Sequence, residues 1–229
     1  MQCIFVENPK GGSGKSFLTT TLAQLFIDRS VSFVCYDCDR ANPDTYRKLH
    51  SVLPVRLAIF SESEKLEDAA NNIYLSAVKH RALVNLPAQA PLRQWFEAND
   101  IFTIAPDDKV EFVFIFVTTS GYDSLSLLKR HLEYFQDRVT TIVAKNHGTG
   151  GDEWEAFEDP SLQAFINKFN VLTIDFPRFT GSTTRNRLDQ LSLSFGEGLA
   201  SPNFNSLEKQ RIRKFLKAAY AAFDSTGVF

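Results

Sequence analysis

The sequence lacks what would place it outside the cytoplasm. Among its 229 residues are three cysteines, an odd number that builds no disulfide framework and fits a reducing compartment. Cys35 and Cys38 do form a C-x-x-C, with Asp37 inside it. The pair lies in and just beyond an apolar run, so a buried structural role is expected ahead of redox or metal chemistry. No stretch approaches the roughly 18 apolar residues that span a bilayer, and Met1-Gln2-Cys3 opens directly into an apolar run instead of a basic, apolar leader. A cytoplasmic protein without a transmembrane segment is therefore expected. An excess of one charge is also missing. The chain has 25 Lys and Arg against 27 Asp and Glu, a net charge of −2, so any nucleic-acid contact must come from a local basic patch and not from a global field. Internal repeats, low-complexity linkers and long charge blocks are absent as well. What remains, at 44% hydrophobic and 23% charged, is enough for one sizeable α/β core and short for two, so residues 1–229 are read as a single domain.

What is present is concentrated at the start. Asn8-Pro9-Lys10-Gly11-Gly12-Ser13-Gly14-Lys15-Ser16 follows the apolar run Cys3 to Val6 and reads as a phosphate-binding loop. Its glycines let the backbone turn and point successive N–H groups inward, while the following helix adds its positive end. Lys15 is placed to reach the β- and γ-phosphates and Ser16 to ligate Mg²⁺, with Gly11, Gly12, Ser13, Gly14 and Phe17 completing the nucleotide-binding segment. A plain Gly-rich turn between strand and helix is the alternative.

The rest of the chain alternates strand-like and helix-like runs. Lys15 to Asp28 carries Phe17, Leu18, Leu22, Leu25 and Phe26 at helical spacing. Val31 to Tyr36 reads as a strand that delivers Asp37 and Asp39 at its carboxyl end, where open α/β sheets hold ligands. Asn42-Pro43 looks like an N-cap and N1 pair opening a helix to about Leu53, and Val55 to Phe60 like a short strand. Leu66, Ala69, Ala70, Ile73 and Ala77 give helical spacing within Glu62 to Lys79. Ala82 to Pro87, Glu111 to Val117, Thr140 to Ala144 and Val171 to Ile174 follow as strands. Between and after them come helices at Pro91 to Ala98, Tyr122 to Phe135 and Asp159 to Phe169. Phe179 to Glu197, rich in Ser, Thr, Gly and Arg, is expected to order only on dimerisation or ligand binding. Ser206 to Phe223 is an amphipathic helix with Ile212, Phe215, Leu216, Ala219 and Phe223 on one face and Lys209, Arg213 and Lys217 on another. That basic stripe reads either as a solvated face or as a nonspecific DNA surface; a membrane-surface helix would need Phe215 and Phe223, which the core claims. The fold class expected is α/β, a P-loop NTPase fold whose mostly parallel sheet is flanked by helices on both faces.

The loop itself departs from the common pattern, with Pro9 and then Lys10 ahead of the first glycine. KGGSGKS resembles the deviant Walker A motif of the ParA/MinD family of dimerising ATPases, and the order of strand-end motifs resembles that family over most of the chain. Asn85-Leu86-Pro87-Ala88-Gln89 is similar to the form found in small plasmid-encoded members such as StbB-type stability proteins. The resemblance implies ATP and ADP as ligands with Mg²⁺, an ATP-bound homodimer, slow hydrolysis and control by a plasmid-encoded partner. It implies that Lys10 crosses the dimer interface to the partner's phosphates, that Lys15 holds the β- and γ-phosphates, and that Asp39 positions the attacking water. Asp37 would then stand near the metal, with Arg40 where a proline is common. ALVNLP resembles the Walker B strand with Asn85 at the aspartate position, an amide that adds no charge to the metal site. EFVFIFV, ending in Thr118-Thr119-Ser120, is the alternative Walker B strand. Asn146 resembles the adenine-reading position, or is an ordinary Asn/Gly turn residue. Asp175-Phe176-Pro177-Arg178 stands where the family has a second nucleotide-edge loop, Pro177 included, or is a solvated turn. Three functions are compatible with these residues: a Mg·ATP-dependent dimerising ATPase in plasmid segregation, stability or positioning, a nucleotide-gated adaptor in conjugation with little hydrolysis, and a small-molecule kinase.

Overall fold

The structure is a computed structural model that describes residues 1–61 and 68–229. Its elements run β1 Gln2–Glu7, α1 Lys15–Asp28, β2 Phe33–Asp37, α2 Asp44–Leu49, β3 Val55–Leu57, α3 Asn71–Ala77, β4 Arg81–Asn85, α4 Leu92–Ala98, α5 Ile101–Asp108, β5 Glu111–Thr118, α6 Tyr122–Phe135, β6 Thr140–Asn146, α7 Pro160–Ile166, β7 Leu172–Phe176, α8 Ser182–Gln190, α9 Phe195–Ala200 and α10 Ser206–Asp224. The strands form one seven-stranded sheet in the order β3-β2-β4-β1-β5-β6-β7. Every neighbouring pair is parallel.

Side-chain alternation decides which helices cover which face. Along β5, Val113, Ile115 and Val117 join Leu18, Leu22 and Phe26 of α1 and Ile212, Phe215, Ala219 and Phe223 of α10 in one apolar cluster. Phe112 and Phe114 point the other way, to Trp95 and Phe96 of α4 and Ile101 of α5, and Phe116 meets Leu125, Leu128 and Leu132 of α6. A strand buried on both sides has no polar face to show, which is why these runs are apolar throughout. Cys35 and Cys38 are buried and unbridged, and burial pushes both thiols up, so they are structural as expected.

Several boundaries differ from the expectations. Asn42 is not an N-cap: Pro43 holds that position, and Asn42 Nδ2 donates to Asp44 Oδ2 at 3.0 Å. The helix it was to open ends at Leu49, and β3 stops at Leu57. The helical spacing between Glu62 and Lys79 survives as α3, in which Ile73 and Ala77 are buried; its first part, with Leu66, lies outside the described residues. Helix α5 was not anticipated. Phe179 to Glu197 forms α8 and the start of α9, with Phe179, Leu188 and Phe195 buried in the α1–α10 cluster. Asp175 and Phe176 belong to β7, so only Pro177 and Arg178 of that segment form a loop.

Candidate nucleotide site

The loop between β1 and α1 is fixed by its own backbone and by two asparagines. Gly12 and Gly14 take φ of +77° and +95°, values open to glycine and costly for other residues. Asn8, buried, donates through Nδ2 to Val117 O at 2.7 Å and Ser124 Oγ at 3.0 Å, and its Oδ1 accepts from Lys10 N at 2.7 Å. The loop's first turn is thereby tied to the end of β5 and to α6. Asn146, 3% exposed, donates to Ser13 O at 2.7 Å and accepts from Gly148 N at 3.0 Å. A Cβ on Gly14 would lie 2.3 Å from Asn146 Nδ2.

These contacts leave an anion cradle. Lys15 is buried, its Nζ resting on Asn8 O at 2.9 Å and Lys10 O at 3.2 Å. Burial draws its ammonium below the ordinary value, with Asp39 and Glu7 pulling the other way. Helix α1 starts without a side-chain cap and without an acid in its first turn, so no side chain caps its positive end. Ser13 Oγ is buried with no hydrogen-bond partner among the described residues. An orphaned hydroxyl, an uncapped helix start and a lysine held only by neutral carbonyls fit a phosphate chain.

The acid side of the cradle comes from β2 and β4, which the register places side by side, Asp37 opposite Asn85. Asn85 Nδ2 donates to Asp37 Oδ1 at 2.9 Å and to Ser16 Oγ at 3.2 Å. It is therefore the end of ALVNLP, and not Thr118 at the end of EFVFIFV, that meets Ser16. Asp37 also accepts from Tyr46 N at 2.9 Å and Asp39 N at 3.2 Å. Burial raises its carboxyl, and these hydrogen bonds hold it back. One carboxylate and one hydroxyl fit Mg²⁺, which takes few protein ligands and completes its shell with phosphate oxygens and water. No group of three or more His, Cys, Asp or Glu stands ready to hold a metal among the described residues. Asp39 is half-buried and accepts from Asn42 N at 3.1 Å; Arg40 is exposed.

The remaining expected residues are spread around this centre. Lys10 is exposed and pairs in its own chain with Asp123 at the start of α6, 3.3 Å away. Phe17 turns its ring into an aromatic cluster, 5.3 Å from Phe215 and 5.6 Å from Phe195, with Arg185 stacked on it at 4.9 Å. Pro177 is half-buried after β7, and Arg178 Nε donates to His147 O at 3.1 Å. On α10, Arg213 and Lys217 are exposed and Lys209 half-buried, with Arg211 and Lys214 exposed beside them. The one acid of that helix's first turn, Glu208, is buried against Arg187. Sequence reasoning missed Thr19, whose Oγ1 lies 3.3 Å from Asn85 Oδ1, and the close approach of the buried His131 Nδ1 to Glu7 Oε1, just ahead of the loop. Neither carries a motif, and only the contact between elements finds them.

A parallel sheet with a phosphate loop after its first strand, an uncapped helix behind the loop and a carboxylate on the neighbouring strand defines a P-loop nucleotide-binding domain. Residues 4–147 match the CobQ/CobB/MinD/ParA nucleotide binding domain, and the chain belongs to that family. Among curated proteins it is similar to protein MobD of Acidithiobacillus ferrooxidans, 21% identical over 174 residues that make up 75% of each chain. A chain from Borrelia burgdorferi B31 described as a plasmid partition protein, bound to AMPPNP, superposes with a TM-score of 0.54 at 14% identity, covering 97% of this chain and 98% of that one. The septum site-determining protein MinD of Pyrococcus horikoshii, complexed with Mg-ADP, gives 0.53 at 15% identity, with coverage of 100% and 98%. These structural likenesses establish the fold. No described helix is long and apolar enough to cross a membrane.

Proposed function

We propose that the chain is a Mg·ATP-dependent ATPase that dimerises over its nucleotide and acts in plasmid segregation, stability or positioning, with α10 binding DNA nonspecifically. The observation that carries this reading is the division of labour between the two loop lysines. Lys15 is folded into the cradle, whereas Lys10 stands exposed at its rim, free to exchange Asp123 for the phosphates of a second copy. In this reading Lys15, Gly11, Gly12, Ser13, Gly14, Ser16 and the backbone of Phe17 hold the phosphates. Ser16, Asp37 and Asn85 surround Mg²⁺, Asp39 orients the attacking water, and Asn146 and Pro177 border the base. The partnership with a plasmid-encoded protein and a cytoplasmic location follow from the same family role. The bound-nucleotide relatives and the plasmid partition likeness support it. Sedimentation with and without a nonhydrolysable ATP analogue is the test. Lys10→Ala is expected to abolish analogue-induced dimerisation while Lys209, Arg213 and Lys217 changed to Glu spare it and remove salt-sensitive DNA binding. Dimerisation that survives Lys10→Ala sinks the sandwich.

A second reading, a nucleotide-gated adaptor in conjugation with little turnover, is favoured by the neutral Asn85 beside Ser16. Phosphate release that is lost in Asp39→Ala separates the two, since an adaptor needs no turnover.

A further inference from the structure

Asn85 does more than stand where an acid is common. Its carboxamide is 0% exposed, as is Asp37, and the β2–β4 register sets the two residues directly opposite each other. Asp37 accepts only, so the amide must turn its nitrogen toward it. The same nitrogen reaches Ser16 Oγ at 3.2 Å, and the oxygen faces Thr19 Oγ1. Asp37 is thus satisfied by three N–H donors, from Asn85, Asp39 and Tyr46, with no cation required. A carboxylate at 85 would instead put two negative groups about 3 Å apart away from water, an arrangement that demands a cation or a proton between them.

From this geometry we infer that Asn85 is a neutral clamp that orders cation entry: it holds Asp37 and Ser16 in place yet leaves the site too weakly charged to take a divalent cation until nucleotide phosphates add their own. The inference rests on the Mg-nucleotide reading above and deepens it. Asn85 acts through Asp37 and Ser16 and is a positioning residue. Because cation affinity follows ligand charge, Asn85→Asp creates a cation site in the nucleotide-free chain. Asp37→Asn combined with Asn85→Asp keeps one carboxylate and moves it from β2 to β4.

The test is Mn²⁺ binding to the full, nucleotide-free chain, followed by calorimetry and by the melting temperature. The expected result is no saturable Mn²⁺ site in the wild type below about 1 mM, a site in Asn85→Asp at least about tenfold tighter, and wild-type behaviour in the double swap. If Asn85→Asp is unfolded alone, Mn²⁺ is expected to refold it, as read by circular dichroism. Saturable micromolar binding by the wild type, an Asn85→Asp affinity within twofold of it, or an unfolded variant that Mn²⁺ does not restore overturns the clamp. Binding of a fluorescent ATP analogue to the wild type is measured separately. Its absence overturns the nucleotide reading and the cation order that depends on it, while the Mn²⁺ titrations still report the charge at position 85 by themselves.

Discussion

Replacing Asn146 by alanine separates a base-reading residue from one that builds the loop. The side chain sits at the end of β6 and spends one donor on Ser13 O at 2.7 Å and one acceptor on Gly148 N at 3.0 Å. Each such bond contributes about 1 kcal/mol net. Ser13 O keeps a second donor, Thr149 Oγ1 at 3.2 Å, and Gly148 is exposed, so neither partner is stranded out of water. The cost of Asn146→Ala in the nucleotide-free protein is then about 2 kcal/mol. Gly14→Ala carries its own penalty, about 1–2 kcal/mol for the left-handed backbone, plus the overlap with Asn146 Nδ2 at 2.3 Å. With Asn146 already cut back, that overlap is gone and only the backbone strain remains. The double variant is therefore expected to be more stable than the two single losses added, by about 0.5–3 kcal/mol of coupling. Urea unfolding without nucleotide, followed by circular dichroism, measures all four corners. A side chain that served only the base would leave this protein's stability untouched; an Asn146→Ala loss under about 0.5 kcal/mol, or strict additivity with Gly14→Ala, refutes the reasoning.

Phe215→Ala is expected to cost about 3–5 kcal/mol, because the ring is buried and meets Phe17, Phe179 and Phe195 within 5.1–5.5 Å, whereas Arg213→Ala on the exposed face should stay within about 0.5 kcal/mol; denaturant melts distinguish the two. Asp224 closes α10 onto the end of α1 through a paired contact with Arg29, 2.7 and 2.8 Å long, and that hydrogen bond holds its carboxyl below the ordinary 3.8. A depressed carboxylate contributes stability above its unfolded value and loses it as pH falls through the folded one, so the wild type should shed this increment below about pH 4 while Asp224→Asn, lacking it throughout, shows a flatter acid limb in thermal melts. The pair is exposed, so its whole effect should not exceed about 1 kcal/mol.

The parts of the fold legible in the sequence are those whose burial leaves a pattern. Ala82 to Val84 of β4 and Phe112 to Val117 of β5 are apolar without interruption because both faces are covered, and α10 repeats its buried residues at three and four. All five residues assigned to the core face of α10, from Ile212 to Phe223, are buried. Helix α8 leaves no such trace, since only Thr184 and Leu188 of its nine residues are buried. Helix α5 hides behind Pro106 in its last turn and buries only Ile101 and Ala105. At the site, the motif named the loop residues, but the partners of Asn85 and Asn146 depend on strand order. Asp37 and Asn85 are 48 residues apart, and only the pairing of β2 with β4 makes them neighbours.

Strand order also explains why the loop is framed by asparagines. Asn8, Asn85 and Asn146 are each 3% exposed or less, and each both donates and receives: Asn8 between Val117 O and Lys10 N, Asn85 between Asp37 and Thr19, Asn146 between Ser13 O and Gly148 N. A carboxylate can only accept, so at any of these positions it would lose the donor half and confront an oxygen. It would also bring a negative charge to a cradle whose lysine and helix start are arranged to meet an anion. The carboxamide supplies rigidity without charge. The three positions are nonetheless not equivalent, because Nδ2 of Asn8 and Asn146 faces a neutral carbonyl, whereas Nδ2 of Asn85 faces a carboxylate. A cation can bridge two carboxylates far better than a carboxylate and a peptide carbonyl, so Asp at 85 can be rescued by metal and Asp at 8 or 146 cannot. The loop's charge is thus left to Lys10, Lys15 and the start of α1, and position 85 is where the frame meets the carboxylate of Asp37 and the hydroxyl of Ser16.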